Sequence, residues 1–129
     1  MPDRIALRAP LSDDFVGVVR LIVGGVAERA DLGFEDMDDL QLAVERLLAE
    51  AGSLGYVALR FEIGPGRVRT SVGPLHSEAL ARALQEPDDG PATLTLGRIL
   101  STVVSSYGVE TVADGHIVVR LEKVMEDAG

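Results

Sequence analysis

The spacing of hydrophobic and polar positions changes along the chain and divides it into elements. Arg4 to Arg8 alternates, with Ile5 and Leu7 on one side and Arg4, Ala6 and Arg8 on the other; this predicts a short strand ending at Pro10. Ser12, Asp13 and Asp14 supply an N-cap and an acidic first turn, after which Phe15, Val18, Val19, Ile22 and Val26 recur at helical spacing to about Arg29. Gly24 and Gly25 interrupt that helix, which points to close packing there or to a kink. Asp31-Leu32-Gly33 is a break. A second helix then starts on acidic residues after Phe34 and presents Leu40, Ala43, Val44, Leu47, Leu48 and Ala51 on one face before Gly52 ends it.

Tyr56 to Ile63 reads as a strand, turned by Gly64-Pro65-Gly66 into a returning strand from Arg67 to Val72. Ser77 to Gln85 is a short amphipathic helix on Leu80 and Leu84, followed by a loop at Glu86 to Pro91. A helix from about Leu94 to Tyr107 comes next, with Leu96, Ile99, Leu100, Val103 and Val104 inward. Strands over 109–113 and 116–122 flank the hairpin signal Asp114-Gly115. Helices grouped with hairpins predict one α+β domain over residues 1–129, a two-layer sandwich in which helices cover one face of a mixed sheet.

Composition narrows the chemistry. Of the 129 residues 47% are hydrophobic but only 4% aromatic, so the core is built from Val, Leu, Ile and Ala. The absence of cysteine excludes disulfides, thiolate metal sites and a cysteine nucleophile, and fits a reducing cytoplasm. His76 and His116 need carboxylate help to hold zinc. The net charge of −9 argues against direct nucleic-acid binding and suits a partner with a basic face. Lys123 is the only lysine, so a lysine phosphate clamp is not expected in the body of the domain. Val16 to Ala27 is too short and too interrupted to span a membrane, and Met1-Pro2-Asp3-Arg4 lacks the form of a signal peptide.

The element order matches the Bergerat fold of the GHKL ATPases, and three segments point to one branch of them. The helix from Phe15 to Ala27 resembles the first helix of the bacterial anti-sigma-factor serine kinases. Asp38-Asp39-Leu40-Gln41-Leu42-Ala43-Val44-Glu45 resembles the start of their second helix. Gly97, the following helix, Val109 to Val112 and the Gly115 hairpin resemble their C-terminal end. The similarity spans nearly the whole chain. It implies a homodimer that binds a sigma factor and a STAS-domain anti-anti-sigma factor in a partner-switching circuit.

The departures from the family pattern bear on activity. The family's second helix reads A-V-x-E-x-x-x-N-A, where the resemblance implies a Glu as general base and an Asn as magnesium ligand. Here Arg46 stands at the base position and Glu50 at the ligand position. Arginine accepts no proton at neutral pH, and the carboxylate of Glu45 points about 100° away. The family's D-x-G-x-G box, whose Asp reads adenine, is reduced to Gly73. Its glycine-rich phosphate turn is reduced to Gly97 within Thr93-Leu94-Thr95-Leu96-Gly97.

Together these features predict a degenerate member without ATP, magnesium or another cofactor, acting by protein binding through Arg20 with Phe15, Val16 and Val19 on the first helix. An active ATP-dependent serine kinase and a pseudo-enzyme holding another small ligand are the alternatives. Glu50, His76, His116 and the loop pair Asp88-Asp89 read as surface or packed residues, not as ligands.

Overall fold

The computed structural model describes residues 3–51, 55–76, 80, 84, 95–112 and 115–125. Within them lie β1 (Asp3–Pro10), α1 (Asp13–Arg29), α2 (Phe34–Ala51), β2 (Tyr56–Gly64), β3 (Arg67–Leu75), α3 (Leu96–Val103), β4 (Ser106–Thr111) and β5 (Ile117–Val124). The five strands form one sheet in the order β1-β2-β3-β5-β4. Every neighbouring pair is antiparallel, which corrects the mixed sheet expected from the element order. The reason is topological. β4 runs in the same direction as β3, but the β4–β5 hairpin places β5 between them, so no parallel pair forms.

Period-two alternation gives the sheet two unlike faces. Val57, Leu59, Phe61 and Ile63 of β2, Val68 and Val72 of β3, and Ile117, Val119 and Leu121 of β5 are buried on one. That face meets Val19, Val23 and Val26 of α1, Leu40, Val44 and Leu47 of α2, and Leu96, Leu100 and Val103 of α3 in a single apolar cluster. Phe61, fully buried in β2, contributes roughly 1.5–3 kcal/mol on burial. The other face is charged and open.

The helix starts are coded locally. Ser12 caps α1 by accepting from the Asp14 N–H at 3.3 Å, and Asp13 and Asp14 complement the helix dipole. At the far end Asp31 turns the chain with φ +60, and the Gly66 N–H donates to the Ala30 carbonyl at 2.7 Å, which fixes the β2–β3 turn to the end of α1.

α1 runs unbroken through its two glycines, which have different roles. A Cβ on Gly24 would lie 3.0 Å from Gln41 Nε2, whose N–H donates to the Arg20 carbonyl at 3.0 Å; a Cβ on Gly25 would meet nothing. Gly25→Ala is therefore expected to stabilise the fold by roughly 0.5–1 kcal/mol. Gly24→Ala has to push Gln41 off its carbonyl and should gain less or lose stability. Urea midpoints decide, and equal gains from both changes would show that Gln41 moves without cost.

Lys123 reaches inward from β5 and is buried. Its Nζ donates to the Val103 carbonyl at 2.8 Å and pairs with Asp39 at 3.1 Å and Asp36 at 3.5 Å. The only lysine in the chain thus ties β5 to the start of α2 and the end of α3.

The last third departs from the sequence reading. α3 ends at Val103, not Tyr107, and β4 begins at Ser106, three residues before the strand expected at 109. Val104 and Tyr107 continue the helical spacing of Leu96 and Leu100, but Val104 is extended and Tyr107 pairs with Leu121 of β5. Cross-strand pairing overrides the local pattern. Leu80 and Leu84 are helical and buried, in line with the short helix expected there. The Glu86–Pro91 loop, with Asp88 and Asp89, and Asp114 of the last hairpin lie outside the described residues. Among the described residues no helix is long and apolar enough to cross a membrane.

Candidate functional site

The two positions that the kinase resemblance marks on α2 are occupied by a pair of side chains that face each other. Arg46 Nη2 and Glu50 Oε1 lie 3.8 Å apart as an i,i+4 ion pair, both partly exposed. A cation therefore stands where a base would be needed, and the carboxylate one turn on is already partnered. Glu45 is spent elsewhere: it faces α1 and accepts from Arg20 Nη1 at 3.3 Å. These residues do not fit a magnesium-bound nucleotide. Among the described residues, no three His, Asp or Glu side chains group as metal ligands.

The two family glycines have packing reasons to be glycine. Gly73 adopts φ +148, and a Cβ there would lie 2.8 Å from the Ile117 carbonyl oxygen, where the β3–β5 register shifts. A Cβ on Gly97 would lie 2.8 Å from the Tyr107 hydroxyl. Sheet closure and the seat of Tyr107 account for both without a phosphate. At the start of α3 the Arg98 N–H, one of the donors a phosphate would use, is taken by Thr95 Oγ1 at 3.1 Å. Thr93 and Leu94, upstream in the same turn, lie outside the described residues.

The partner residues expected on α1 divide into three groups. Val19 is 2% exposed and belongs to the core, so it supports the helix from within and offers no contact surface. Val16 and Arg20 are one turn apart on the flank facing α2, where Arg20 stays more than half exposed beside Glu45. Phe15 lies about 140° round the helix from Arg20. It heads an exposed apolar stripe with Val18 and Leu21, the last 77% exposed, two residues that the sequence reading did not place in the partner surface. On α2, Leu42 is also exposed. At the N-terminal end of α1 a groove of 560 Å³ opens between Phe15, Val16 and the α2 residues Leu48 and Ala49, floored by Leu11 and Val57. Exposed apolar surface of this extent, with an arginine at its edge, is what a protein interface requires.

Three other arrangements carried no signal in the sequence. The rings of His76 and His116, forty residues apart, meet with centroids 4.8 Å apart at the end of the sheet. Glu45 holds Arg20, and Lys123 is a buried tie rather than a surface cation.

No family model matches the chain. It is similar to the protein named serine-protein kinase RsbW of Bacillus pumilus strain SAFR-032, with 28% identity over 123 residues, covering 87% of this chain and 75% of that protein. The RsbW protein of Halalkalibacterium halodurans is 26% identical over 149 residues, covering 97% of this chain and 85% of the relative. That of Bacillus subtilis strain 168 is 26% identical over 121 residues, covering 87% and 75%.

Proposed function

We propose that the chain, which is similar to the RsbW proteins over most of its length, regulates transcription as an anti-sigma-type protein that works by binding and transfers no phosphate. Its partner is a sigma factor, or a STAS-domain anti-anti-sigma factor that competes for the same surface, and it acts in the cytoplasm as a homodimer on the Bergerat-type scaffold. The observation that carries this reading is the Arg46–Glu50 ion pair at the positions where a kinase of this family would keep its base and its metal ligand. The exposed stripe on α1 and the net charge of −9 support a protein partner with a basic face. The name of the relatives, serine-protein kinase, favours the second reading, an active ATP-dependent kinase.

Calorimetric titration of the full chain with ATP and magnesium separates the two. We expect no binding heat at millimolar nucleotide. A dissociation constant in the micromolar range would overturn the expectation of an empty nucleotide site, and phosphorylation of a STAS-domain protein by the wild type would then establish the kinase reading. Arg46→Glu alone is expected to yield no phosphorylation of a STAS-domain protein, because phosphoryl transfer needs metal and positioning as well as a base.

A further inference from the structure

The face of the sheet that the helices leave open differs in charge from the rest of the molecule. Its side chains stand in ranks across the strands. One rank reads Arg4, Glu62, Arg69, Glu122 and Ser106; the next reads Ala6, Arg60, Ser71, Arg120 and Gly108. With Arg8, Arg67 and Glu110 the face holds six arginines against three glutamates, an excess of +3. The chain as a whole carries −9, so everything else carries −12, the difference between the two.

The glutamates are fully subscribed. Glu62 pairs with Arg4 at 3.6 Å and Arg69 at 4.0 Å, Glu122 with Arg67 at 2.7 Å and Arg69 at 2.8 Å, and Glu110 with Arg120. Hydrogen bonds from Arg69 and then Arg67 hold the Glu122 carboxyl below its ordinary range. The network it anchors therefore persists as pH falls, until pH passes through that lowered value. Arg8 lies over the Tyr56 ring at 4.8 Å. Arg60 has no carboxylate partner among the described residues. It and Arg120 flank Ser71 from the two neighbouring strands, with backbones about 10 Å apart. Ser71, Ser106 and Gly108 keep the floor low, which leaves a shallow concavity of 630 Å³.

We propose that this open face is a docking surface for an acidic polypeptide segment, with Arg60 and Arg120 flanking Ser71 as its anion-holding centre. A segment of polypeptide is favoured over nucleic acid by two features. Three glutamates interleave with the arginines and repel a continuous row of phosphates. The rest of the chain carries −12, so a polyanion long enough to run past the patch meets net repulsion. A short peptide matches a face of this size, and its carboxylates accept paired hydrogen bonds from guanidinium groups. The surface lies on the opposite side of the sheet from α1, so it is independent of the partner surface proposed above.

The test is a fluorescence-anisotropy titration of the full chain with a labelled peptide of about ten alternating Asp and Glu residues, beside a single-stranded oligonucleotide of similar length, at low salt. Arg60→Glu is expected to weaken peptide binding by at least about tenfold. Arg29→Glu, the same charge change on the helix side, is expected to alter it by less than about twofold. Because Arg60 makes no ion pair among the described residues, Arg60→Glu should leave the melting temperature nearly unchanged, which keeps the loss interpretable. The proposal is overturned if the wild type does not bind the peptide, if both variants weaken it equally, or if the oligonucleotide binds more tightly. It is also overturned if sedimentation shows that a second copy of the chain covers this face and that Arg60→Glu separates the copies.

Discussion

Lys123→Met is expected to lower the stability of the fold by about 3 kcal/mol, roughly 10 °C in melting temperature for a chain of this size. The methionine keeps the apolar stem, so packing is nearly conserved and the loss comes from the charge. Removing the ammonium leaves Asp36 and Asp39 facing each other without a cation and the Val103 carbonyl without its buried donor. A buried acceptor left unpaired costs about 1–3 kcal/mol, and two uncompensated carboxylates add to it. Both carboxylates retain partial contact with solvent, which holds the figure below the upper end of the range for buried pairs. Lys123→Arg should recover little, since a planar fork does not match acceptors converging from two helices. Urea denaturation measures all three proteins. A loss under about 1 kcal/mol for the methionine variant would show that water takes over the role of the ammonium.

Replacing Arg20 by alanine is expected to weaken capture of the partner by about 2 kcal/mol, roughly 30-fold, with little effect on the fold. The side chain is more than half exposed, yet it stands beside the apolar surface of α1 and α2. Glu45 adds a second expectation. It already holds Arg20 at 3.3 Å, so an acidic group on a partner must share the guanidinium with it. Glu45→Gln should therefore strengthen capture by a few-fold, the opposite direction to Arg20→Ala. Arg20→Glu should abolish capture, and it also sets two like charges against each other across α1 and α2, so its melting curve has to be recorded beside the binding data. Pull-downs with sigma factors and STAS-domain proteins from the same genome supply the measurement. Equal capture by wild type and Arg20→Ala would remove this residue from the interface.

The elements that the sequence predicted well are those whose ends are written in local chemistry. Ser12 and the acidic pair after it start α1 where expected, and Gly64 to Gly66 turn β2 into β3. The misplaced boundary at 103–109 lies where two patterns coincide: Val104 and Tyr107 satisfy a helical spacing while their backbone is claimed by β5. Strand direction was misjudged for a similar reason, since nothing near β3 reveals that the final strand will insert beside it. At the site, the replacements at 46 and 50 were visible as letters, but their pairing into one neutral unit required three-dimensional contact. In sequence Val19 groups with the interface because it flanks Arg20 on the chain; a single helical step separates core from surface there. The charged ranks on the open face were invisible in sequence, because each rank gathers one residue from each of five strands spread from β1 to β5.

The insertion of β5 between β3 and β4 also governs the order in which the molecule can assemble. β3 is synthesised about fifty residues before the strand that pairs with its outer edge. While the ribosome is still translating the intervening stretch, β1, β2 and β3 can zip together, but the rim of β3 remains an unpaired template and the core residues of α3 and β5 are still missing. The sheet closes only when residues 117–124 emerge and fill the gap, which also delivers the lysine that clasps α2 and α3. A nascent chain halted before that point is thus a sticky three-stranded fragment, and its protection in the cell falls to whatever shields such rims until the final strand arrives.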